Sequence, residues 1–380
     1  MTDPTEQIAG KHITNKKWSL RRRLVGRILR ALFGRPERTG KLRPAEISRV
    51  LLIRHDRLGD YIVSTPVIEQ LRASIPGVEI DLLAGPHNAA FIRHDPRISR
   101  VIPFDGSPLS LRRAVRECRE RRYDLVLQLV LSKTTVPAIF AGLFSKEGRV
   151  ISRANSYNRA LVDHPVRWAT DLHYSAQTFD VLLDAIDFGP TEPARPPYRI
   201  EISDAVRTET IEYLSRSGLT PGSFILVNMS AGSPSRSFDQ ERGTELLRRL
   251  IEEVGESIPV AATGGPEDVD RIARSCVASG AIQLRFPSIL SVVAAIEAAR
   301  LLVTPDTGPV HIASAVGTPV VAYYSEHDKP QGWAPRGVPN RIVVAKEHDV
   351  VATVSIEEIV EGVRELLASI ESNQTRRGHR

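Results

Sequence analysis

Cysteine is scarce in this chain, and its scarcity excludes two kinds of site. Cys118 and Cys276 are the two cysteines among 380 residues, and they lie far apart without C-x-x-C spacing. Neither a disulfide framework nor a zinc site is indicated, so both are expected to be buried thiols. Long apolar runs are also missing: none has the length of a membrane span, and the N-terminus lacks the apolar core of a signal peptide. We therefore expect a soluble, cytoplasmic protein.

Two common nucleotide-binding motifs are missing as well. No G-x-G-x-x-G follows a strand-like run, and no G-x-x-x-x-G-K occurs anywhere in the chain. The sequence therefore gives no indication of a dinucleotide oxidoreductase or of a P-loop nucleotide hydrolase. We expect no cofactor and no metal ion.

Positive charge is concentrated at one end of the chain. The net charge is +6, but residues 16–43 contain eleven lysines or arginines and one acid, which leaves −4 for the rest. The body thus has no basic excess, and we expect no nucleic-acid partner. Between Trp18 and Phe33, apolar residues and arginines fall mostly on opposite sides of a predicted helix. This pattern indicates contact with the inner-membrane surface, although a helix packed on the body or a solvated tail would show it too.

Strand-like runs alternate with helical patterns along most of the chain, which is typical of α/β domains with parallel sheets. The alternation breaks at T-E-P-A-R-P-P, residues 191–197, where a proline-rich segment marks a domain boundary. We predict a basic arm and linker, two doubly wound domains and a polar tail, with the bounds 1–44, 45–196, 197–365 and 366–380. Two such domains face each other across a central cleft, where ligands are expected.

The predicted elements follow this alternation. After a first strand at residues 47–53, Thr65-Pro66 predicts the start of a helix, because threonine caps helices and proline suits their first turn. Further helices are predicted at 109–122, 171–188, 204–216, 239–254, 267–279, 289–299 and 309–316. Further strands are predicted at 78–84, 123–129, 224–228, 258–263, 300–304 and 319–324.

Polar residues cluster after the first predicted strand, in R-H-D-R-L-G-D at residues 54–60. A carboxylate in this loop would suit a general base that removes a proton from a hydroxyl group. Asp60 is the candidate, but it could instead cap the next helix, and Asp56 competes for the same role.

The strand at residues 300–304 ends at P-D-T-G, and a short helix follows. Its unpaired N–H groups and positive dipole end suit a phosphate group. Asp306 or Thr307 would cap the helix, Gly308 lies in the turn that opens it, and His311 could add a donor. A well-capped turn without a ligand would explain the same residues.

Other candidate ligand residues follow the first two strands of the second domain: Ser230, Gly232, Arg236 and Asp268. Arg236 is either a phosphate clamp or an exposed residue at a helix entry. Asp268 either holds a ribose hydroxyl or starts a helix. A carboxylate in one domain and phosphate donors in the other suit a transferase that uses a nucleoside diphosphate donor.

Two segments resemble known signatures. V-L-L-I-R-H-D-R-L-G-D-Y-I-V-S-T-P-V-I-E-Q-L-R at residues 50–72 and L-L-V-T-P-D-T-G-P-V-H-I-A-S-A-V-G-T-P-V-V-A at residues 301–322 closely resemble those of the bacterial heptosyltransferases, glycosyltransferase family nine. The resemblance runs from about residue 48 to about residue 350. It implies the GT-B architecture, with an N-terminal acceptor domain and a C-terminal nucleotide-sugar domain. It also implies inverting, metal-independent transfer of heptose from ADP-heptose to the lipopolysaccharide inner core.

The resemblance also assigns residues. Asp60 matches the catalytic base of the family, and the loop from Asp306 to His311 matches the loop that holds the ADP diphosphate. Arg236 stands where the family commonly has lysine and keeps the charge. Phe238 replaces a common tryptophan, and residues 325–328 depart from the usual glycine-containing turn. Because these departures border the donor pocket, the sugar stays open. The alternatives are another nucleotide-activated sugar, a nucleotide-sugar epimerase, or a catalytically silent, membrane-tethered binding protein.

Overall fold

The computed structural model describes most of the chain. The described residues are 31, 38, 40–130, 141–145, 147–153, 162–166, 173–326, 329–347 and 350–378. The amphipathic helix predicted for the arm lies outside them except for Ala31. Cys118 and Cys276 are buried free thiols, as predicted. Within the described part of the chain, no helix is long and apolar enough to cross a membrane.

The first sheet has six described strands, all parallel to their neighbours. They are β1 (Arg49–Arg54), β2 (Glu79–Ala84), β3 (Arg100–Pro103), β4 (Leu125–Gln128), β5 (Arg149–Arg153) and β6 (His164–Val166). Their order across the sheet is β3-β2-β1-β4-β5-β6. The central strand is buried on both faces, since every residue from Val50 to Arg54 has no exposed surface.

Helices cover both faces of the first sheet. They include α1 (Leu58–Ser74), α2 (Ala89–Ile92), α3 (Pro108–Arg121) and α4 (Tyr174–Ala185). Tyr61 and Leu71 of α1 pack into one apolar cluster, whereas Ala114 and Cys118 of α3 pack into another. From β1 to β2 the chain moves across the sheet in one direction, and from β3 to β4 it moves in the other. Because both connections are right-handed, α1 and α3 lie on opposite faces of the sheet.

The second sheet repeats this plan with six described strands. They are β7 (Ile225–Asn228), β8 (Val260–Thr263), β9 (Ile282–Gln283), β10 (Leu301–Pro305), β11 (Val320–Tyr324) and β12 (Asn340–Val344). The helices of this half are α5 (Asp204–Arg216), α6 (Gln240–Val254), α7 (Val269–Ser279), α8 (Ile289–Ala298), α9 (Gly308–Val316), α10 (Lys329–Trp333) and α11 (Ile356–Gly378). The strand order is β12-β11-β10-β7-β8-β9, again parallel throughout.

Both sheets have the same topology. When strands are numbered along the chain within each sheet, the order is 3-2-1-4-5-6 in both. This is the order of doubly wound, Rossmann-like domains, and it confirms the predicted α/β architecture. Such sheets bind ligands where the order reverses, which lies between β1 and β4 in the first domain and between β7 and β10 in the second.

The predicted start of the helix after β1 is wrong. Thr65-Pro66 was expected to begin it, but α1 begins at Leu58 and contains Pro66 in its interior. Proline has no N–H to donate to the carbonyl of Ile62, and the hydroxyl of Thr65 donates to that carbonyl instead, at 2.7 Å. The helix therefore passes through the proline, and Asp60 stands in its first turn.

The two domains share an extensive contact. One apolar cluster includes Val67 and Leu71 of the first domain and Val310 and Ile312 of the second. At its edge the ring of Tyr174 stacks on Trp333, with ring centroids 4.3 Å apart. Next to this stack, Nε2 of His173 lies 2.9 Å from the carbonyl oxygen of Ala334. These contacts connect the start of α4 to the end of α10 across the domain boundary.

Candidate active site between the two domains

The reversal points of the two sheets lie opposite each other. In the first domain, β1 ends at Arg54 and leads into α1. In the second, β10 ends at Pro305 and leads into α9. Because α1 packs directly against α9, the loops that precede these helices meet at the cleft. The two segments that carry the family resemblance are therefore brought together by the fold.

Arg54, the last residue of β1, fixes the loop that leads into α1. Its side chain has no exposed surface, and Nε donates to the backbone carbonyl of Asp60 at 2.8 Å. Nη1 donates to the carboxylate of Asp56 at 3.0 Å and to the carbonyl of Leu129 at 2.5 Å. The guanidinium also lies 5.4 Å from the ring centroid of Tyr174. One buried cation thus joins the carboxylate of Asp56 and the backbone of Asp60 to the residue after β4.

The two candidate carboxylates have different surroundings. Burial raises the pKa of Asp56 to about 7, while Arg54 acts to lower it and Asp60 to raise it. The carboxylate of Asp60 accepts a hydrogen bond from the backbone N–H of Arg57 at 3.2 Å. Asp60 therefore does cap α1 in part, from the third position of the helix. Asp60 is half-buried, so it keeps some exposed surface beside this hydrogen bond.

Gly59 permits the close approach of the two helices. A Cβ atom at this position would lie 3.0 Å from Cδ2 of His311 and 3.6 Å from Cα of Gly308. The first contact is tighter than ordinary van der Waals separation, so a side chain would push α9 away. The Gly59-Asp60 pair thus places a carboxylate next to the point where the second domain makes contact.

His311 lies in the interior of this contact. It is 3% exposed, with the rings of Tyr198 and Trp333 at 6.2 Å and 5.6 Å. Burial, together with the nearby His173, lowers its pKa to about 3, so the imidazole is neutral. Nδ1 is buried and has no hydrogen-bond partner among the described residues. A neutral ring with one N–H can donate a single hydrogen bond but cannot supply positive charge.

Arg236 and Asp306 lie together and form an ion pair. Nη1 of Arg236 is 3.5 Å from Oδ2 of Asp306, and the aspartate side chain is 9% exposed. The fold therefore brings together two residues that the sequence separates by seventy positions. It also shows that the charge of the arginine is partly balanced in this arrangement.

Ser230 and Asp268 form part of one hydrogen-bonded network. The hydroxyl of Ser230 donates to the carboxylate of Asp268 at 2.5 Å and accepts from the backbone N–H of Gly265 at 2.9 Å. Asp268 also pairs with Arg271 at 2.9 Å. Asp268 stands directly before α7, yet its side chain makes no capping hydrogen bond to that helix. Its carboxylate instead connects the loops that follow β7 and β8.

A cavity of about 520 Å³ opens at the carboxyl end of the second sheet. Its volume falls within the range of small-molecule sites. Of the candidate residues, Ser230, Gly232 and Thr307 line it. Asp60 of the first domain does not line it, and neither do the other candidates of the second domain, namely Arg236, Asp268, Asp306, Gly308 and His311.

One wall of this cavity is not predictable from the sequence. The segment after β9 contributes apolar side chains, namely Leu284, Phe286, Ile289 and Val292. Because β9 has only two residues, no alternating pattern marks it as a strand, and the loop after it was not recognised as a strand-end loop. An apolar wall opposite polar loops suits a purine base above a sugar and phosphates.

Arg57 of the first domain reaches the rim of the cavity in the second. A Cβ atom at Gly232 would lie 2.4 Å from Nη1 of Arg57, so the guanidinium rests against this glycine. Arg57 is exposed, and among the described residues its side chain has no acidic partner. It was not a candidate, because proximity to Gly232 appears only when the domains are assembled.

Comparisons with known proteins agree with this architecture. Residues 110–363, more than half of the chain, match the family model of Glycosyltransferase family 9 (heptosyltransferase). Lipopolysaccharide heptosyltransferase 2 of Escherichia coli is 24% identical over 73% of this chain and 82% of its own. Solved structures of a glycosyl transferase family 9 protein from Veillonella parvula and of E. coli ADP-heptose lps heptosyltransferase II are similar in fold. Their TM-scores are 0.71 and 0.66, and their sequence identities are 20% and 19%. Each comparison covers 85% of this chain, and they cover 97% and 99% of the two solved chains, respectively. The chain is a glycosyltransferase and belongs to family 9, the heptosyltransferase family.

Proposed function

We propose that this glycosyltransferase moves heptose from ADP-heptose to an acceptor in the inner core of lipopolysaccharide, with inversion and without a metal ion. The observation that supports the proposal is the position of Asp60 directly after Gly59, the residue that approaches Gly308 and His311 of the second domain. The choice of substrates is supported by two similar proteins, a lipopolysaccharide heptosyltransferase and an ADP-heptose heptosyltransferase of E. coli.

In the proposed reaction Asp60 is the general base. Its carboxylate takes the proton of an acceptor hydroxyl while that oxygen forms a bond to the anomeric carbon. The bond from the same carbon to the ADP oxygen breaks, and ADP leaves with its electron pair. Inversion requires attack from the side opposite the leaving group, and a base on one domain facing a donor site on the other supplies that geometry.

The donor would occupy the 520 Å³ cavity. We assign the adenine to the apolar wall that includes Phe286 and the diphosphate to the rim formed by Ser230, Gly232 and Thr307. The N-terminus of α9 begins at Gly308, and the helix has nine residues, enough to present N–H groups and a positive dipole end to an anion. Asp268 would keep the loop around Ser230 in shape rather than contact the ribose.

Positive charge for the leaving group comes from two arginines in this scheme. Arg236 is already paired with Asp306 at 3.5 Å, so part of its charge is balanced before a donor binds. Arg57 rests against Gly232 without an acidic partner among the described residues. We assign Arg57 to the diphosphate from the side of the acceptor domain, together with Arg236 from the donor domain.

The decisive experiment compares Asp60→Asn with Asp56→Asn in a transfer assay. Both changes remove one carboxylate from the segment that follows β1 and keep the shape of the side chain. We expect Asp60→Asn to lower kcat by about 1,000-fold, because a general base accelerates the reaction by a factor of this order. Asp56→Asn should lower kcat by less than about tenfold. Near wild-type transfer by Asp60→Asn contradicts the assignment. A large loss in Asp56→Asn alone would make Asp56 the base.

The substrates need a separate measurement. ADP release from ADP-heptose is followed with and without a lipid A–core acceptor. We expect release that depends on the acceptor, because the base acts on the acceptor hydroxyl. Release with another nucleotide sugar but not with ADP-heptose would change the donor. Binding without release from any donor would identify a silent binding protein.

We place the reaction at the cytoplasmic face of the inner membrane, because the proposed acceptor is a lipid-linked glycan. The basic arm, residues 16–43, supports this location through its charge of +10. Deletion of residues 1–44 is expected to weaken binding to anionic liposomes and to spare transfer to a soluble acceptor. Unchanged liposome binding would refute this role of the arm.

A further inference from the structure

The outer face of α3 in the first domain is unusually basic. Leu109 at its start is 68% exposed, and Arg112, Arg113, Arg116 and Arg119 are all exposed on the same side of the helix. At 100° per residue these five positions fall within an arc of roughly 120°. One side of this helix therefore carries four arginines, with one acid, Glu120, in the same arc and an apolar side chain at its tip, and we call it the α3 face.

The opposite side of α3 holds the helix in the domain. Ala114 and Cys118 are buried in the apolar cluster of the first sheet. Arg121 points inward and pairs with Asp81 at 3.0 Å. The anchoring contacts thus come from residues outside the α3 face.

The arginines of the α3 face have little to neutralise them. Among the described residues, Arg112 and Arg113 have neither an acidic nor a hydrogen-bonding partner, and Arg116 has only Glu120 at 4.0 Å. Exposed pairs at that distance contribute little. The arginine charges are therefore available to an external anionic surface.

The α3 face is continuous with the point where the basic arm joins the body. A groove of about 900 Å³ runs along the α3 face and ends at Arg119 and Arg122. Both arginines also line a second groove of about 710 Å³, together with Arg38 and Leu42. The backbone of Leu42 is fixed to the domain by a hydrogen bond to the carbonyl of Ala185 at 2.9 Å. The end of the arm is thus held beside the C-terminal end of the α3 face.

We infer that the α3 face is a docking surface for the anionic phospholipid headgroups of a bilayer. The arginines of the α3 face span roughly 10 Å along the axis, from Arg112 to Arg119, which is too long for a single phosphate but fits a field of headgroups. The apolar tip at Leu109 suits insertion at the headgroup boundary rather than contact with a nucleic-acid backbone. The charge of −4 outside the arm means that this basic patch is local and not a property of the whole body.

The position of the α3 face fits the proposed function, on which this part of the inference rests. α3 follows β3, so its N-terminal end lies at the carboxyl edge of the first sheet, the edge that also carries Asp60. A bilayer in contact with Leu109 would lie near the acceptor side of the cleft. A lipid-anchored acceptor could then reach the base while its anchor stays in the membrane.

The test measures binding of the full chain to vesicles by co-sedimentation at low ionic strength. Vesicles of phosphatidylcholine alone are compared with vesicles in which about a third of the lipid is phosphatidylglycerol. We expect the triple variant Arg112→Ala/Arg113→Ala/Arg116→Ala to bind the anionic vesicles about 100-fold more weakly, since each basic residue contributes about fivefold. Leu109→Glu, which keeps every arginine, should also weaken binding.

The matched control removes the same charge elsewhere. Arg216→Ala/Arg248→Ala/Arg274→Ala changes three exposed helix positions of the second domain and should alter binding by less than about threefold. Unchanged binding of the α3 variant, equal binding to neutral vesicles, or displacement by inorganic phosphate overturns the inference. Tighter binding to a DNA duplex than to vesicles would overturn it too. Transfer to a lipid-free acceptor should be normal in the α3 variant. Vesicle binding is measured without any sugar donor, so a wild type that shows no transfer would refute the proposed function and leave the docking inference standing.

Discussion

Replacement of Asp56 by asparagine should change how the stability of the protein depends on pH. Burial raises the pKa of this carboxyl from 3.8 to about 7, even though Arg54 lies 3.0 Å away. The folded protein therefore keeps a proton on Asp56 between about pH 4 and pH 7, where the unfolded chain has lost it. Folding binds a proton in this window, and the contribution of Asp56 to stability is lost as the pH rises through 7.

The size of the effect follows from the pKa difference. Each pKa unit corresponds to about 1.4 kcal/mol, so the full change between pH 4 and pH 7 is about 4 kcal/mol. Between pH 5 and pH 7 the wild type should lose about 2 kcal/mol through this residue alone. Asp56→Asn does not titrate, so its stability relative to the wild type should rise by the same amount over these two pH units. Other groups titrate in both proteins and largely cancel in the difference.

Urea-induced unfolding at pH 5, 6, 7 and 8, followed by circular dichroism, measures this difference. The expected outcome is a stability of the variant relative to the wild type that rises by about 2 kcal/mol from pH 5 to pH 7 and changes little from pH 7 to pH 8. Parallel stability curves for the two proteins would refute the reasoning, because they would mean that Asp56 is already ionised in the folded state at pH 5.

Two further changes test the contact between the domains. Gly59→Val places methyl groups beyond a Cβ that would already lie 3.0 Å from His311, so calorimetry should show a loss of about 1–3 kcal/mol and transfer should fall sharply. Gly59→Ala is the milder control, and a fully active valine variant would show that the helices need not approach so closely. Trp333→Leu removes the stack on Tyr174 at 4.3 Å and should raise the KM for the donor about fivefold by weakening the attachment of α10. Trp333→Phe should restore most of the donor affinity, and an unchanged KM in the leucine variant would contradict the coupling.

The architecture was largely predictable because it depends on local patterns. Buried parallel strands such as β1 and β10 are continuous apolar runs, and helices such as α5 start at a capping residue, Ser203, whose side chain accepts from the backbone of Val206. The failures have local causes as well. Thr65-Pro66 predicts a helix start, but the Thr65 hydroxyl compensates for the missing N–H of the proline, and this contact is visible only in three dimensions. β9 is too short to show a pattern at all.

The candidate site was predictable in part. Asp60 and the loop at Asp306 stood out because strand-end loops carry ligands in doubly wound domains, and the family resemblance assigned them roles. The apolar wall around Phe286 and the contact of Arg57 with Gly232 were not predictable. They join segments that are distant in the sequence, and no short motif records such pairs.

The sequence by itself determined the two doubly wound domains and the family, because both depend on patterns that lie within short stretches of chain. It also determined which residue types stand at the strand ends. Only the tertiary structure decided their chemical states. Packing turns His311 into a buried neutral ring, pairs Arg236 with Asp306, and raises the pKa of Asp56 to about 7. These properties depend on desolvation and on charges brought close by the fold, and such distances are not encoded in local spacing.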